Sequence, residues 1–242
     1  DPETLAAHAC GHHCQIAMML AVASCFSSSD ILESLSGSLT FIAVPAEEYI
    51  EIEFRNDLMK AGKLEFLGGK PEFVRLGALD DVDIAMMTHT DARDSMGGDI
   101  GVAPTNNGML AKLISYVGLA AHAGGSPHTG INALNAATIA LSAIHAQRET
   151  FQEEDSIRIH PIITRGGLAV SSVPSDVRIE TFVRGSNVEA IIDASAKVDR
   201  ALKAGALAVG ADVNIVTLPG YLPIVTDNNL ETHLNFNTNL FI

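Results

Sequence analysis

The sequence predicts an α/β fold that carries a second, inserted α+β domain. Two short apolar runs in the first half, residues 38–45 and 83–89, are typical of strands buried in a parallel sheet. From about residue 110 onward, segments with period-two alternation take turns with long helical segments, which is typical of an antiparallel sheet covered by helices. We therefore expect part of an α/β domain over residues 1–109, an inserted domain over 110–222 and a return to the first domain over 223–242.

Helices are predicted on either side of the first strand. The run from Ile16 to Phe26 is apolar on nearly every side and rich in good helix formers, so we expect a helix buried against the sheet. Residues 49–82 mix charge, glycine and aromatic residues, and we expect one or two surface helices there. The polar residues that follow the two predicted strands lie at their carboxyl ends, where ligands bind in an open α/β sheet.

The inserted domain is predicted to follow the order strand, helix, strand, strand, helix, strand. Such a unit folds as a four-stranded antiparallel sheet with both helices on one face. Gly220 to Pro223 then form the return crossing to the first domain. The six predicted elements are residues 112–123, 131–151, 156–167, 177–185, 187–210 and 213–219.

Composition limits the partners and the compartment. The chain has 242 residues, of which 47% are hydrophobic and 18% charged, so it can bury a sizeable core. A net charge of -14 argues against nucleic acid and against an anionic membrane surface as partners, since either would need a basic patch. No apolar run reaches the roughly 18 residues that a membrane span needs. Three cysteines crowded into one end do not form a disulfide framework and favour a reducing cytoplasm.

A cluster of histidines and cysteines, His8-Ala-Cys-Gly-His-His-Cys14, precedes the first helix. Thiolate and imidazole are ligands that a borderline-soft divalent metal prefers, and Cys10 and His12 flank one glycine, where the backbone can bend. A lone cysteine or histidine is usually only packed or solvated. This segment alone is therefore compatible both with a metal site and with ordinary packing or solvation of its cysteines and histidines.

Glu47 and Glu48 follow the first predicted strand directly. Adjacent carboxylates repel each other, so a buried pair calls for a cation, whereas on an exposed loop the pair would mean nothing. In extended backbone they point in opposite directions, so one can ligate a metal while the other moves a proton. A single histidine such as His89 is more often hydrogen-bonded or exposed than a metal ligand. His122 is better placed, because the glycines and the proline around it suggest a shaped loop. Arg184 closes an alternating strand, where an arginine is ordinarily a solvated edge residue.

Four motifs occur in order along nearly the whole chain. They are HACGHH at residues 8–13, VPAEE at 44–48, AHAGGSPHTGINAL at 121–134 and GGLAVSSVPSDVRIETFVR at 166–184. Together they resemble the HACGHD or HACGHN, PAEE, AHA...P..G.NAL and GG.A.NVIPD...R motifs of the aminoacylase/carboxypeptidase family of dinuclear metallo-amidohydrolases. Within that family the similarity is to the branch of auxin-conjugate and aminobenzoyl-glutamate hydrolases.

The resemblance implies an α/β/α metallopeptidase-like catalytic domain, here partial, with an inserted lid domain through which two subunits pair as a homodimer. It also implies two divalent metal ions, zinc or manganese by ligand type, although cobalt or nickel fit the same ligands. Cys10, as a bridging thiolate, and His12 would ligate metal, and Glu48 and His89 would each complete one metal's shell. Glu47 would be the general base.

The resemblance further implies roles for four residues of the inserted domain. His122 would reach a neighbouring subunit's active site and stabilise the tetrahedral oxyanion. Arg184 would bind the substrate carboxylate through its planar fork of donors. Asn132 would either share in substrate binding or cap the following helix. Ser171 replaces the family's asparagine, so that one polar substrate contact would be shorter or lost. The implied activity is hydrolysis of an amide bond in N-acyl or aminoacyl amino acids or related carboxylate-bearing amides.

The sequence also departs from the family pattern. His13 stands where the branch has Asp or Asn, and Gln15 where some members have a further histidine. Segments that family members carry before and after these motifs, including a last histidine ligand, have no counterpart, so we expect a fragment, and His233 receives no role. A non-catalytic relative that binds or dimerises is the alternative function. A redox or nucleophilic pair of Cys10 and Cys14 is disfavoured because their spacing is not CxxC.

Overall fold

The computed structural model describes residues 10–27, 29–90 and 105–232, with Ser29 described by its backbone only. His8 and His233 lie outside the described residues. The chain divides into two compact units, one formed by Asp1–Ile50 and Gly68–Val102 and the other by Glu51–Leu67 and Ala103–Ile242. The domain boundaries expected from the sequence, at residues 109 and 222, stay a prediction.

The described residues of the first unit are helical or irregular. Helix α1 spans His12–Phe26, α2 spans Ser29–Glu33 and α4 spans Gly69–Arg75, while α3, Ile52–Lys60, belongs to the second unit. The predicted helix over residues 16–26 is therefore confirmed, as are the surface helices within 49–82. The expected burial of the first helix is wrong, since no residue of α1 is buried.

The two predicted parallel strands are also wrong for this structure. Residues 38–45 and 83–89 carry no sheet hydrogen bonds, and no strand occurs in the described part of the first unit. A parallel strand exists only through a neighbouring strand that accepts and donates its backbone hydrogen bonds. Without such a neighbour the apolar side chains of these runs stay open to solvent, with Phe41 43% and Met86 67% exposed.

The second unit contains an antiparallel sheet. Strand β1, Gly108–Val117, pairs with β4, Asp176–Gly185, on one side and with β5, Asp212–Tyr221, on the other. The far side of β4 is shared by two short strands, β2, Arg158–Ile159, and β3, Ile162–Arg165. The predicted third strand is thus broken in two at His160-Pro161, because proline lacks the N–H that a continuous ladder requires.

Two long helices cover one face of this sheet. Helix α5 spans Ala133–Ala146 and α6 spans Val188–Val209, so the predicted element order and the antiparallel sheet are confirmed. The alternate residues of β4 are fully buried, as period two requires for a half-covered sheet. The core joins sheet residues to the small residues of the two helices: Ile114, Tyr116, Val177, Ile179, Val183, Ala136, Ala137, Ala140, Ala194, Val198 and Leu202.

Small residues let α5 and α6 approach closely. A Cβ built on Gly205 would lie 2.3 Å from the carbonyl oxygen of Ala136 and 2.7 Å from the Cβ of Ala140, so only glycine fits there. At the centre of this layer the Tyr116 hydroxyl donates to the Leu202 carbonyl at 2.9 Å. Burial raises the pKa of Tyr116 well above its ordinary value.

The opposite, outer face of the sheet is charged and meets helix α3. Arg178 of β4 forms an ion pair with Glu53 of α3, and its Nε also lies 3.4 Å from Asp176. Asp176 in turn accepts from Arg165 of β3 at 2.5 Å. Burial and the nearby charge of Glu53 raise the pKa of Glu180 on the same face.

The predicted return crossing begins slightly later than expected. Gly220 and Tyr221 are still part of β5, and Tyr221 lies opposite Met109 of β1. The chain that leaves the sheet runs beside the chain that enters it, because Ile224 N–H donates to the Asn106 carbonyl at 3.4 Å. Within the described ranges, no helix combines the length and the apolar character that a membrane crossing demands.

Candidate functional site

The turn before α1 positions the first candidate ligands. Gly11 adopts the left-handed region at φ 77° and directly precedes α1, which begins at His12. Its missing side chain makes room for Thr90, whose Oγ1 would lie 1.7 Å from a Cβ at this position. Gln15 donates to the Thr88 carbonyl at 2.8 Å. The segment on both sides of His89 is therefore held against the turn that carries Cys10 and His12.

The acidic pair follows a second strained turn. Ala46 has φ 51°, a conformation that non-glycine residues seldom adopt, and it turns the chain immediately before Glu47 and Glu48. The start of α4 packs tightly against this turn. A Cβ on Gly69 would lie 2.0 Å from the carbonyl oxygen of Pro45. The close approach sets the position of the carboxylates relative to α4.

Three predicted site residues come together in the first unit. His12 Nε2 lies 3.3 Å from Glu47 Oε2 and 3.8 Å from Glu48 Oε1. One ligand atom of each residue lies within 4.8 Å of the other two. Two ligands held at about 2.1 Å from one tetrahedral ion are about 3.4 Å apart, so this arrangement of one imidazole and two carboxylates fits a divalent metal.

Cys10 and His89 stand outside this trio. Among the described residues, the group of ligand atoms within 4.8 Å of one another contains His12, Glu47 and Glu48 only. Cys10 and His89 are both exposed, and Cys10, Cys14 and Cys25 form no disulfide. The contacts of Thr88 and Thr90 with the α1 turn keep His89 in this neighbourhood.

Lys70 is a member of the cluster that the sequence did not single out. Its ammonium group, at the start of α4, donates to Glu47 Oε1 at 2.7 Å. Burial on its own raises the pKa of Glu47, but the hydrogen bond and charge of Lys70, together with His12, outweigh burial and hold that pKa below its ordinary value. Glu47 is therefore ionised at neutral pH. A lysine near a helix start has no sequence signature that would have predicted this contact.

In the second unit, the loop after β1 fixes the ring of His122. Its Nδ1 accepts from the backbone N–H of Gly125 at 2.8 Å and of Gly124 at 3.2 Å. A backbone N–H can only donate, so the neutral ring carries its proton on Nε2. The exposed Nε2–H is thus a donor that the loop leaves available.

The other three predicted residues of the second unit occupy different surroundings. Asn132 caps α5, because its Oδ1 accepts from the N–H groups of Leu134 and Asn135 at 2.9 and 3.1 Å. The Ser171 carbonyl accepts from Ala123 N–H at 2.9 Å, beside His122. Arg184 stacks its guanidinium over Phe182, 5.3 Å from the ring centroid, on the outer face of the sheet.

Comparison with known proteins identifies the family. Residues 106–209 match the peptidase dimerisation domain (M20_dimer), which covers β1, both long helices and the strands between them. Residues 106–209 therefore carry a peptidase dimerisation domain of the M20 type, and the relatives that match a larger share of the chain are named as hydrolases. The predicted family resemblance is therefore confirmed.

Curated relatives of this chain are named as hydrolases and dipeptidases. It is 26% identical over 213 residues to a Xaa-Arg dipeptidase from Mus musculus, covering 86% of this chain and 43% of that protein. It is 28% identical to a homolog of a p-aminobenzoyl-glutamate hydrolase from Haemophilus influenzae, covering 74% and 38%. An indole-3-acetyl-aspartic acid hydrolase from Enterobacter agglomerans is 29% identical, with 74% and 36% covered. The chain thus spans less than half the length of these relatives.

Solved structures support the fold. A structure from methicillin-resistant Staphylococcus aureus, described as an aminohydrolase, has a TM-score of 0.68 at 21% identity and covers 96% of this chain and 55% of that chain. An aminobenzoyl-glutamate utilization protein from Klebsiella pneumoniae has a TM-score of 0.52 at 20% identity, with 70% and 42% covered. The predicted fold class is confirmed by these similarities.

Proposed function

We propose that the whole protein to which this chain belongs hydrolyses an amide bond in N-acyl or aminoacyl amino acids, or in related amides that carry a carboxylate. The observation that carries the proposal is the convergence of His12, Glu47 and Glu48 on one small volume, in a chain that also matches the M20 peptidase dimerisation domain. We further propose that Cys10, His12, Glu48 and His89 hold two divalent metal ions, zinc or manganese.

Glu47 is the proposed general base. It is ionised at neutral pH and its Oε2 lies 3.3 Å from His12 Nε2, so that a water molecule bound at the same cluster would be within its reach. A divalent metal held by His12 and Glu48 would lower the pKa of bound water toward about 7 and would polarise the amide carbonyl. Glu47 then takes the proton from the attacking water and delivers it to the leaving nitrogen as the C–N bond breaks. The products are a carboxylic acid and a free amine.

His122 is the proposed oxyanion donor. Because Gly124 and Gly125 occupy its Nδ1, the proton on Nε2 points outward and can donate to the developing negative charge on the carbonyl oxygen. The match to a dimerisation domain supports a homodimer in which this donor acts in the neighbouring subunit's site. Dimerisation through the inserted domain is then a requirement for catalysis.

Arg184 is the proposed ligand of the substrate's carboxylate. Its guanidinium is positioned by stacking on Phe182 and presents several N–H donors in one plane. Two relatives act, by their names, on p-aminobenzoyl-glutamate and indole-3-acetyl-aspartic acid, both of which contain an amide next to a carboxylate. Asn132 would act mainly by capping α5, and Ser171 by shaping the loop beside His122.

A non-catalytic relative is the second candidate function. The replacement of the branch's Asp or Asn by His13 favours it, as does Ser171 at the position of the family's asparagine. In that case the inserted domain would still dimerise, but the cluster would not support turnover. One assay of amide hydrolysis distinguishes the catalytic function from the non-catalytic one.

The test is hydrolysis of a panel of N-acyl amino acids by the protein supplied with zinc or manganese. We expect turnover that falls about 10²- to 10⁴-fold in Glu47→Gln, because the general base is lost. Glu33→Gln, an exposed carboxylate of the same unit, is the matched control and should keep full activity. Equal activity in Glu47→Gln and wild type would contradict the role of Glu47 as general base. No turnover of any substrate would contradict the proposed hydrolysis and favour the non-catalytic relative.

A further inference from the structure

The two adjacent glutamates of the candidate metal site both reach the same imidazole. His12 Nε2 lies 3.3 Å from Glu47 Oε2 and 3.8 Å from Glu48 Oε1, and the two acidic side chains are similarly exposed, at 33% and 24%. Either carboxylate could therefore bind an ion that His12 holds. The proposed mechanism needs one of them as a ligand and the other as the base, so a further contact must separate the two roles.

Lys70 provides such a contact to Glu47. Its Nζ donates to Glu47 Oε1 at 2.7 Å, while the other oxygen of the same carboxylate faces His12. An ion bound to Oε2 at about 2.1 Å would lie within about 7 Å of the ammonium group. Like charges at such a distance repel each other, most strongly where protein replaces water. A metal ion that used Glu47 would thus have to share this carboxylate with a cation.

The backbone fixes the start of α4, and with it Lys70, against the turn that carries the acidic pair. Gly69 N–H donates to the Ala46 carbonyl at 3.4 Å. A Cβ on Gly68 would lie 2.5 Å from the hydroxyl oxygen of Tyr49, so this glycine allows the approach from the other side. The position of the ammonium group therefore follows from two close backbone contacts.

Neither helix formation nor stability explains a lysine at this position. The first turn of a helix favours acidic residues and the last turn favours basic ones, and Glu72 and Arg75 of α4 follow this preference. Lys70, the second residue of α4, opposes it. Its side chain is 46% exposed, and ion pairs this exposed add little to stability. The contact with Glu47 is the feature that distinguishes this lysine.

We propose that Lys70 is a positioning residue that divides the roles of the two glutamates. Its ammonium group holds Glu47 back from the metal, so that Glu48 serves as the ligand and Glu47 stays available for the attacking water. Without this ammonium group, Glu47 becomes an additional ligand, metal binding tightens and hydrolysis slows. The inference rests on the proposed function, because it takes its base and its metal centre from there.

The first experiment measures zinc affinity by competition with a chromogenic chelator in wild type, Lys70→Met, Glu47→Gln and the double variant. Changes to groups that orient metal ligands typically alter metal affinity by about 10- to 100-fold, so we expect Lys70→Met to bind zinc at least about tenfold more tightly. The same substitution should lose most of this gain in the Glu47→Gln background. Unchanged or weaker zinc binding in Lys70→Met would overturn the proposal. Equal gains in both backgrounds would show direct repulsion of the ion and would also overturn it.

Arg75→Met is the matched control for net charge. It removes one positive charge from the same helix, but from a side chain that donates to Glu72 at 2.6 Å. This variant should bind zinc as wild type does. If it tightens zinc binding as much as Lys70→Met, the effect comes from net charge and the proposal fails. Circular dichroism of each variant establishes that it is folded.

The second experiment observes the ligands directly through the visible absorption of bound Co²⁺, which depends on their number and kind. The spectrum of Lys70→Met should differ from that of wild type, because Glu47 joins the ligands. The spectra of Glu47→Gln and of the double variant should be the same. An unchanged spectrum in Lys70→Met, or an equal change in both backgrounds, would overturn the proposal.

Kinetics with N-acyl amino acids distinguish failure of this inference from failure of the proposed function. In Lys70→Met we expect kcat to fall at least about tenfold with little change in KM, since the base is diverted rather than the substrate site altered. The predicted zinc and cobalt results without hydrolysis of any amide would uphold the role of Lys70 and contradict the proposed function. Equal kcat in Lys70→Met and an active wild type would contradict the role of Lys70 alone. Absence of metal from wild type would contradict both.

Discussion

Replacing Gly11 by alanine should weaken metal binding at the candidate site, whereas the same replacement at a glycine far from the candidate ligands should not. Gly11 is the residue on which the α1 turn and the Thr88–Thr90 segment meet. It adopts a left-handed φ of 77°, and a Cβ there would lie 1.7 Å from Thr90 Oγ1 and 2.9 Å from Thr90 Cβ. Both contacts are far shorter than any tolerated van der Waals distance, so the segment that carries His89 must move.

The Gly11→Ala substitution has two separate energetic effects, one on the backbone and one on the ligand set. A non-glycine residue in the left-handed region costs roughly 1–2 kcal/mol. Relief of the clash with Thr90 separates the His89 segment from the turn that carries His12, which removes part of the ligand set at once. The backbone strain lowers stability with or without metal, whereas disturbing the groups that orient metal ligands typically costs about 10- to 100-fold in metal affinity, so we expect a fall of at least about tenfold in Gly11→Ala.

The assay is zinc affinity measured by competition with a chromogenic chelator. Gly62→Ala is the matched control, because Gly62 has a similar φ of 68° but nothing within 4 Å of its Cβ position. The Gly62→Ala variant should be less stable, because alanine is strained at this φ, but it should bind zinc as tightly as the wild-type protein. The double variant Gly11→Ala, Thr90→Gly should recover the part caused by the clash. If Gly11→Ala binds zinc as tightly as wild type, the contact between the two segments does not shape the site.

The remaining predictions concern the second unit and can be checked by urea unfolding. Gly205→Ala should lower the free energy of unfolding by about 1–3 kcal/mol, because the added methyl group overpacks the contact between α5 and α6. Leu207→Ala, at an 85% exposed position of the same helix, is the control and should change this free energy little. Equal effects of the two substitutions would contradict the close helix contact. Tyr116→Phe should cost about 0.5–1.5 kcal/mol because a buried hydrogen bond is lost, and an unchanged stability would mean that this bond contributes nothing. Burial and the charge of Glu53 raise the pKa of Glu180, so its favourable contribution is present below the unfolded pKa and is lost as pH rises through the folded pKa. Glu180→Gln should therefore raise the urea midpoint at pH 7 by more than at pH 4, and equal shifts at the two pH values would contradict the sign.

The helix-covered antiparallel sheet of the second unit was predictable from the sequence, because the signals for its elements are local and the elements that pair lie within the same segment. Period-two alternation over residues 177–185 and the long helical pattern over 187–210 each match an observed element. Asn132 before an apolar helix is likewise a local capping signal, and the structure bears out the cap. The runs 38–45 and 83–89 failed as strands because a parallel ladder depends on a neighbour that no local pattern reveals.

Parts of the candidate site could not be predicted for the same reason. The acidic pair is recognisable because Glu47 and Glu48 are adjacent in the sequence, whereas the contact of Lys70 with Glu47 joins residues 23 positions apart. Such pairings follow from topology, and topology is fixed by long-range packing rather than by motif.

Metal content tests the central claim most directly, that His12, Glu47 and Glu48 belong to a metal centre. The protein would be loaded with zinc or manganese, dialysed and measured by elemental analysis, alongside His12→Ala, Glu48→Ala and the exposed control Glu33→Ala. The account predicts near-stoichiometric metal in wild type and in Glu33→Ala, with loss in His12→Ala and Glu48→Ala. Absence of metal from the wild-type protein, or equal metal content in all four proteins, would contradict it.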